Sequence, residues 1–279
     1  METVRRLIPA DLEQCLDVAA SVGWQRERTK WRLLLSLGKG FGVESPQESP
    51  EGRLVGTAIA TRLGALAAIG LVLVDPRFGR RGLGTQLVRA ALKAEPDALP
   101  FLFATEQGRP LYEKLGFRAI GTIAKHVGRF QGPPPSTPLR PATLADLPAL
   151  ERLDTEALGV PRGRMLEPFL REGVGGLVAL GPAGQPIGFG FSWDNETLRM
   201  LGPIVADGER TARDLLCGLA EGVAGTVRVD IPENQPGFRA FAKSVGLSPL
   251  PESPLMTLGG APLPGERTRL FAIAAQALG

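Results

Sequence analysis

The chain has 279 residues, enough for one large or two ordinary domains, and its 43% hydrophobic and 22% charged residues place it among folded globular proteins. With 32 basic against 29 acidic residues the net charge is +3; the arginines are scattered, and 6% aromatic residues leave little for base stacking, which argues against a nucleic-acid partner. No apolar run is long enough to span a membrane, the first six residues lack an apolar signal core so that a cytoplasmic location is expected, and two cysteines (Cys15, Cys217) with one histidine (His126) give no basis for a disulfide framework or a metal site.

Residues 7–20 predict a short strand, then a helix opening near Asp11 with Leu12, Cys15, Leu16 and Ala19 on one face. A second helix is expected over residues 24–37, broken by Gly38 and Gly40. Strands are expected at residues 41–44, at 53–61 from alternating small and branched side chains, and at 64–74, which is apolar on both faces and therefore buried on both.

The most informative stretch follows: Val72-Leu-Val-Asp-Pro-Arg-Phe-Gly-Arg-Arg-Gly-Leu-Gly-Thr85, leading into a helical pattern over residues 86–93. This is a strand stopped by Pro76, a turn, and an amphipathic helix. Gly82 and Gly84 let the backbone approach a ligand closely, successive N–H groups face the mouth of the helix, and Arg80 and Arg81 add fixed positive charge. Pyrophosphate binding is the chemistry implied, although the spacing alone fits an ordinary tight connection equally well. The run lacks the Gly-Lys-Ser/Thr ending of a P-loop and the third glycine of a dinucleotide fingerprint. Beyond the helix, residues 100–105 predict a strand. Residues 106–117 predict a helix with Pro110 in its first turn and Gly116 ending it, followed by a strand over 119–127. Tyr112 is the single tyrosine of the chain; taken alone, such a residue is ordinarily a packed amphipathic side chain.

Together, Val-x-Pro with a basic Gly-x-Gly loop and Leu111-Tyr-x-x-x-Gly-Phe117 after a strand resemble the GCN5-related N-acetyltransferase (GNAT) family. Gly82 and Gly84 match the Gln/Arg-x-x-Gly-x-Gly/Ala pattern, whereas Gly79 stands where the family has Gln or Arg. The resemblance implies an α/β fold with a central mixed β-sheet flanked by helices, the first two helices flanking the acceptor site. It implies acetyl-CoA as cosubstrate and no metal. The pantetheine arm would pair with Val72, Leu73 and Val74, and the pyrophosphate would rest on Gly79, Arg80, Arg81, Gly82, Leu83, Gly84 and Thr85. Tyr112 would face the sulfur as the catalytic residue for the departing thiolate. The activity implied is transfer of an acetyl group to an amine, of a small molecule or a peptide, by direct attack in a ternary complex, with Glu27, Glu44 and Glu106 as candidate bases. The competing expectation is a non-catalytic acyl-CoA-binding or regulatory module on the same scaffold.

Residues 131–141, Gln-Gly-Pro-Pro-Pro-Ser-Thr-Pro-Leu-Arg-Pro, predict a linker, because clustered prolines fit neither a helix nor a central strand. After it the pattern starts over: residues 145–154 echo 10–17, residues 227–231 take the place of the 101–105 strand, and 237–247 imitate the Tyr112 segment. The expectation is therefore two tandem GNAT-like domains, residues 1–130 and 142–279. In the second, Arg210 and Ala212 fall at the loop glycines, Ala242 falls at the tyrosine, and Asp207 and Glu209 bring repulsion to a would-be phosphate site, so its coenzyme site is expected to be degenerate.

Overall fold

A computed structural model describes residues 3–45, 52–171 and 175–279, which fold into two compact units. The first unit runs to Arg118 and takes in Met256–Gly260 and Leu278. Along it lie β1 (Thr3–Arg6), α1 (Leu12–Ser21), α2 (Arg28–Leu37), β2 (Lys39–Ser45), β3 (Arg53–Leu63), β4 (Leu66–Val74), α3 (Leu83–Ala94), β5 (Leu99–Phe103), α4 (Arg109–Lys114) and the start of β6 (Phe117–Gly128). Strands β1 to β4 pair antiparallel in sequence order and β5 joins β4 in parallel, giving the expected mixed sheet.

Alternation along β2 assigns the two faces of this sheet. Phe41 and Val43 belong to the core cluster of α3, built on Leu83, Leu87, Val88 and Ala91. Gly40 and Gly42 turn the other way, where a Cβ on Gly40 would lie 2.9 Å from Leu7 and 3.2 Å from Leu35 of α2. Period-two alternation thus seats helices on both faces, with glycine where they press closest.

The second unit spans Ala119–Leu255, Ala261–Ala277 and Gly279. It contains β7 (Leu139–Pro141), α5 (Leu147–Leu158), α6 (Gly163–Arg171), β8 (Gly175–Leu180), β9 (Pro186–Asn195), β10 (Leu198–Ala206), α7 (Glu209–Ala220), β11 (Val227–Pro232), α8 (Pro236–Ser244), β12 (Leu247–Pro249), β13 (Ser253–Leu258), whose last three residues belong to the first unit, and β14 (Leu270–Ala272). Strands β7 to β10 pair antiparallel and β11 joins β10 in parallel, repeating the first unit. The repetition extends to single side chains. Asp11 accepts from the Ile8 N–H and the Arg5 guanidinium, each at 2.8 Å. Asp146 accepts from the Thr143 N–H at 2.8 Å and from Arg140 at 2.6 Å. In both halves the carboxylate fastens the first strand to the first helix, and the Arg140 guanidinium holds Asp146 down to about 2.

Two features concern the join between the halves. Within the proline-rich linker, residues 139–141 form β7, an edge strand, where proline is tolerated. The N–H groups of Ser136 and Thr137 donate to Asp214 of α7 at 2.9 and 3.0 Å. The compact units also divide the chain elsewhere than at residues 131–141. β6 begins in the first unit, where Phe117 is buried, and from Ile123 to Gly128 pairs with β11 in the second. In return, Met256 and Leu258 complete the first unit's core.

Met256 is fully buried there. Met256→Ala is expected to cost about 2–5 kcal/mol of stability, read as a lowered urea midpoint; an unchanged midpoint would contradict its place in that core.

Candidate active site

The site begins with an irregularity in β4. Gly70 pairs with Ile59 and Leu73 with Thr57, so Leu71 and Val72 together stand opposite Ala58. This is a β-bulge, with Leu71 at φ +49° and its carbonyl accepting from the Thr57 hydroxyl at 2.8 Å. The bulge bends β4 away from β5. Their parallel ladder covers Leu66↔Leu99, Ala67↔Pro100 and Ala68↔Phe101 and then stops. Val72, Leu73 and Val74, all expected to contact a pantetheine arm, lie past that point, with the β5 side of their backbone outside the ladder.

After Val74 comes a single 3-10 turn, Pro76–Phe78, capped by Asp75. The buried Asp75 carboxylate accepts from the Arg77 N–H at 3.0 Å and from its guanidinium at 2.8 Å, and that guanidinium holds it below the usual carboxylate range. Phe78 is buried, with the guanidinium carbons of Arg77 and Arg81 at 5.7 and 5.0 Å from the centre of its ring. Gly79 ends the turn, Arg80 takes φ +61°, and Gly82, at φ +78°, caps α3. Asp75 and Phe78 therefore fix the conformation of the loop, a role no motif reveals.

The two loop glycines do different work. A Cβ on Gly82 would meet nothing within 4 Å, so its requirement is the positive φ. A Cβ on Gly84 would lie 3.1 Å from Leu111, so that glycine makes room for α4 rather than for a ligand alone. The first bond back to the cap is Gln86 N–H to Gly82 at 3.1 Å, which leaves the N–H groups of Leu83, Gly84 and Thr85 without helical acceptors. These donors, which have no backbone acceptor among the described residues, the positive end of a helix, and the exposed Arg80 and Arg81 fit a diphosphate.

Tyr112 sits on α4 and shares one core cluster with Val72, Val74 and Leu83, so the structure brings loop, strand and tyrosine together. Its ring meets Phe117 edge-on, centroids 6.0 Å apart, and a Cβ on Gly108 would lie 3.1 Å from it. The residue is 7% exposed, and burial pushes its hydroxyl up to about 12. Of the three candidate bases, Glu27 is paired with Lys30 and Glu44 accepts from the Arg5 Nε at 2.6 Å, while Glu106 is exposed. His126 is buried in β6, and burial pushes the thiols of Cys15 and Cys217 up to about 12 and about 11.

In the second half, α7 is capped by Gly208, so that residue, rather than Arg210, is the counterpart of Gly82; the first turn starts two residues earlier than the expected register. The cap is extended, at φ −170°, and Glu209 in the first turn pairs with Arg213. An ion pair of Glu209 and Arg213 stands at the mouth that carries Arg80 and Arg81 in the first half.

A bulged strand that parts from its parallel neighbour and runs through a basic turn into a helix mouth defines the N-acetyltransferase type of fold. Two models of the acetyltransferase (GNAT) domain match the sequence, over residues 47–119 and 150–272. The Bacillus subtilis (strain 168) protein YitH, described as an uncharacterized N-acetyltransferase, is 29% identical over 290 residues, with 100% of each chain covered. A solved structure from Pyrococcus horikoshii, provisionally classed as an acetyltransferase, superposes with a TM-score of 0.82 at 22% identity, covering 100% of this chain and 96% of that one. A tandem GNAT protein from the clavulanic acid biosynthesis pathway gives 0.66 at 16% identity, covering 95% and 100%. At these identities the structures bear on the fold. The chain belongs to the GCN5-related N-acetyltransferase family, in its tandem form, and acetyl transfer is the function that membership supports.

Because Tyr112 is the single tyrosine, phenolate absorbance reads it alone. In the folded protein the titration midpoint is expected at about 12, against about 10 for the unfolded chain. The folded state holds this proton more tightly, so the stability it contributes is complete below about pH 10 and is lost as the pH rises toward about 12. A phenolate band already formed near pH 10 in folded protein would contradict the burial.

Proposed function

We propose that the chain is an acetyl-CoA-dependent N-acetyltransferase with its working site in the first half, and that Tyr112 and residues 72–85 carry it. The observation behind this reading is the parting of β4 from β5, which leads straight into a donor-rich helix mouth and lies in one cluster with the tyrosine. Val72, Leu73 and Val74 would pair with the amides of the pantetheine arm as an added strand does. The N–H groups of Leu83, Gly84 and Thr85, with Arg80 and Arg81, would hold the diphosphate. The thioester supplies the activated acetyl group: the amine of a small molecule or peptide attacks its carbonyl carbon directly, the C–N bond forms as the C–S bond breaks to release the coenzyme thiolate, and the proton shed by the nitrogen passes to water.

Tyr112 then has one task, at the leaving sulfur. Transfer of its proton from a hydroxyl at about 12 to a thiolate whose conjugate acid has a pKa of about 8.5 is uphill by about 5 kcal/mol. Its favoured role is therefore that of a hydrogen-bond donor that stays protonated, stabilising charge that develops in the transition state. A hydrogen bond to a charged group contributes about 1.5–3 kcal/mol. The second half takes no part in coenzyme binding.

Release of free thiol from acetyl-CoA across a panel of amines tests transfer against mere binding; no release with any amine would favour the non-catalytic module. With a substrate in hand, Tyr112→Phe is expected to lower kcat about 10- to 100-fold, with KM for acetyl-CoA nearly unchanged. Unchanged kcat would remove Tyr112 from the mechanism. Reversing the charge of Arg80 and Arg81 together is expected to weaken acetyl-CoA binding at least about tenfold in calorimetry, and an unchanged Kd would contradict the diphosphate assignment.

A further inference from the structure

The second unit repeats the parting of strands and then closes it. Leu201 pairs with Ser192 and Ile204 with Gly190, so Gly202 and Pro203 stand opposite Phe191 in a bulge like that of β4. The parallel ladder from β10 to β11 is confined to Arg199↔Val227 and Met200↔Arg228. Beyond it the chain itself enters. β14 pairs antiparallel with β10 at Ile204↔Ala272 and Val205↔Leu270, and the Ile273 N–H donates to the Asp230 carbonyl of β11 at 3.1 Å. The C-terminal strand thus touches both walls of the slot.

The surrounding residues are built to keep it there. The Gln235 side-chain amide donates to the carbonyls of Thr268 and Leu270 at 2.7 and 3.1 Å, and that of Asn234 to Arg267 at 3.2 Å. Phe271 packs edge-on against Phe238 of α8, centroids 5.4 Å apart. Ala242, expected at the tyrosine position, lies in the same buried cluster as Phe271, where a small side chain leaves volume for a neighbouring aromatic ring. At Gly202 a Cβ would come within 2.2 Å of the Ile273 carbonyl oxygen, so the bulge tolerates the strand only because glycine stands there.

We infer that residues 270–273 are a permanent internal occupant of the second half's coenzyme slot, so that each chain takes one acyl-CoA and not two. An extended peptide offers N–H and C=O groups to a strand edge as an amide-bearing arm does. Being tethered, it competes at an effective concentration of about millimolar or more. The count of one rests on the function proposed for the first half; the filling of the second slot does not.

Amide exchange of the intact chain, with and without saturating acetyl-CoA, combined with a native mass spectrum, separates the two. Without coenzyme, the amides of residues 272 and 273 are expected to exchange at least about 100-fold more slowly than an unstructured chain. With acetyl-CoA, protection is expected to rise over residues 71–85 and to stay unchanged at 270–273, with one coenzyme per chain. Unprotected amides at 272–273, their deprotection by coenzyme, or two coenzymes per chain would overturn the inference. If no coenzyme binds, the function proposed above fails, while the protection of 272–273 still decides whether the slot is filled. Gln235→Leu is expected to speed exchange over residues 270–273 about tenfold with the far-ultraviolet spectrum unchanged; no change in rate would contradict the anchoring.

Discussion

The hydrogen bonds that β4 does not make to β5 are the constraint on which the first half turns. Strand edges inside a sheet are normally satisfied, and an unpaired run of backbone groups asks for a partner. The bulge at Leu71 and Val72 causes the parting, and the Thr57 hydroxyl compensates the bulged carbonyl. Everything downstream inherits the direction this sets: the capped turn at Asp75, the αL cap at Gly82 and the donors at the start of α3. A straight β4 fully laddered to β5 would leave the same loop sequence with nothing to serve.

The two halves show one backbone device brought to opposite ends. Both have a bulged strand, a short parallel ladder and a following helix. In the first, the helix mouth carries arginines and unpaired N–H groups, and the strand edge beyond Ala68 lies outside the ladder. In the second, a Glu209–Arg213 ion pair stands at the mouth and β14 fills the gap. An internal strand satisfies the unpaired backbone of a strand edge without bringing any charge, as β14 does between β10 and β11.

What could be read from the sequence was what is local. The elements around residues 72–85 and Tyr112 follow from spacing, glycine and proline, and the internal repeat shows in short echoes such as Ala10-Asp-Leu and Ala145-Asp-Leu. The bulge could not be read, because Leu71 and Val72 look like any buried strand and the slip is defined by Ala58 across the ladder. Asp75 reads as an ordinary turn residue until its carboxylate is seen gripping Arg77. The contacts of the proline-rich stretch could not be read, because edge strands accept proline and the partner, Asp214, is 77 residues away from Thr137. The cap of α7 at Gly208 lies two residues before the position that the faint motifs indicate, because the motifs do not carry the backbone conformation that sets it. β14 leaves no motif at all: three apolar residues near the end of the chain acquire meaning from what they lie between.

Met256 and Leu258 in the first unit's core carry a consequence for biosynthesis. On the ribosome a domain ordinarily condenses once its own contiguous residues have emerged. Here the half that holds the candidate site waits for side chains that follow most of the second unit in sequence, so nascent chains cannot finish it early. The same dependence ties the two halves together in evolution: a gene that shed its second half would also shed part of the first unit's core.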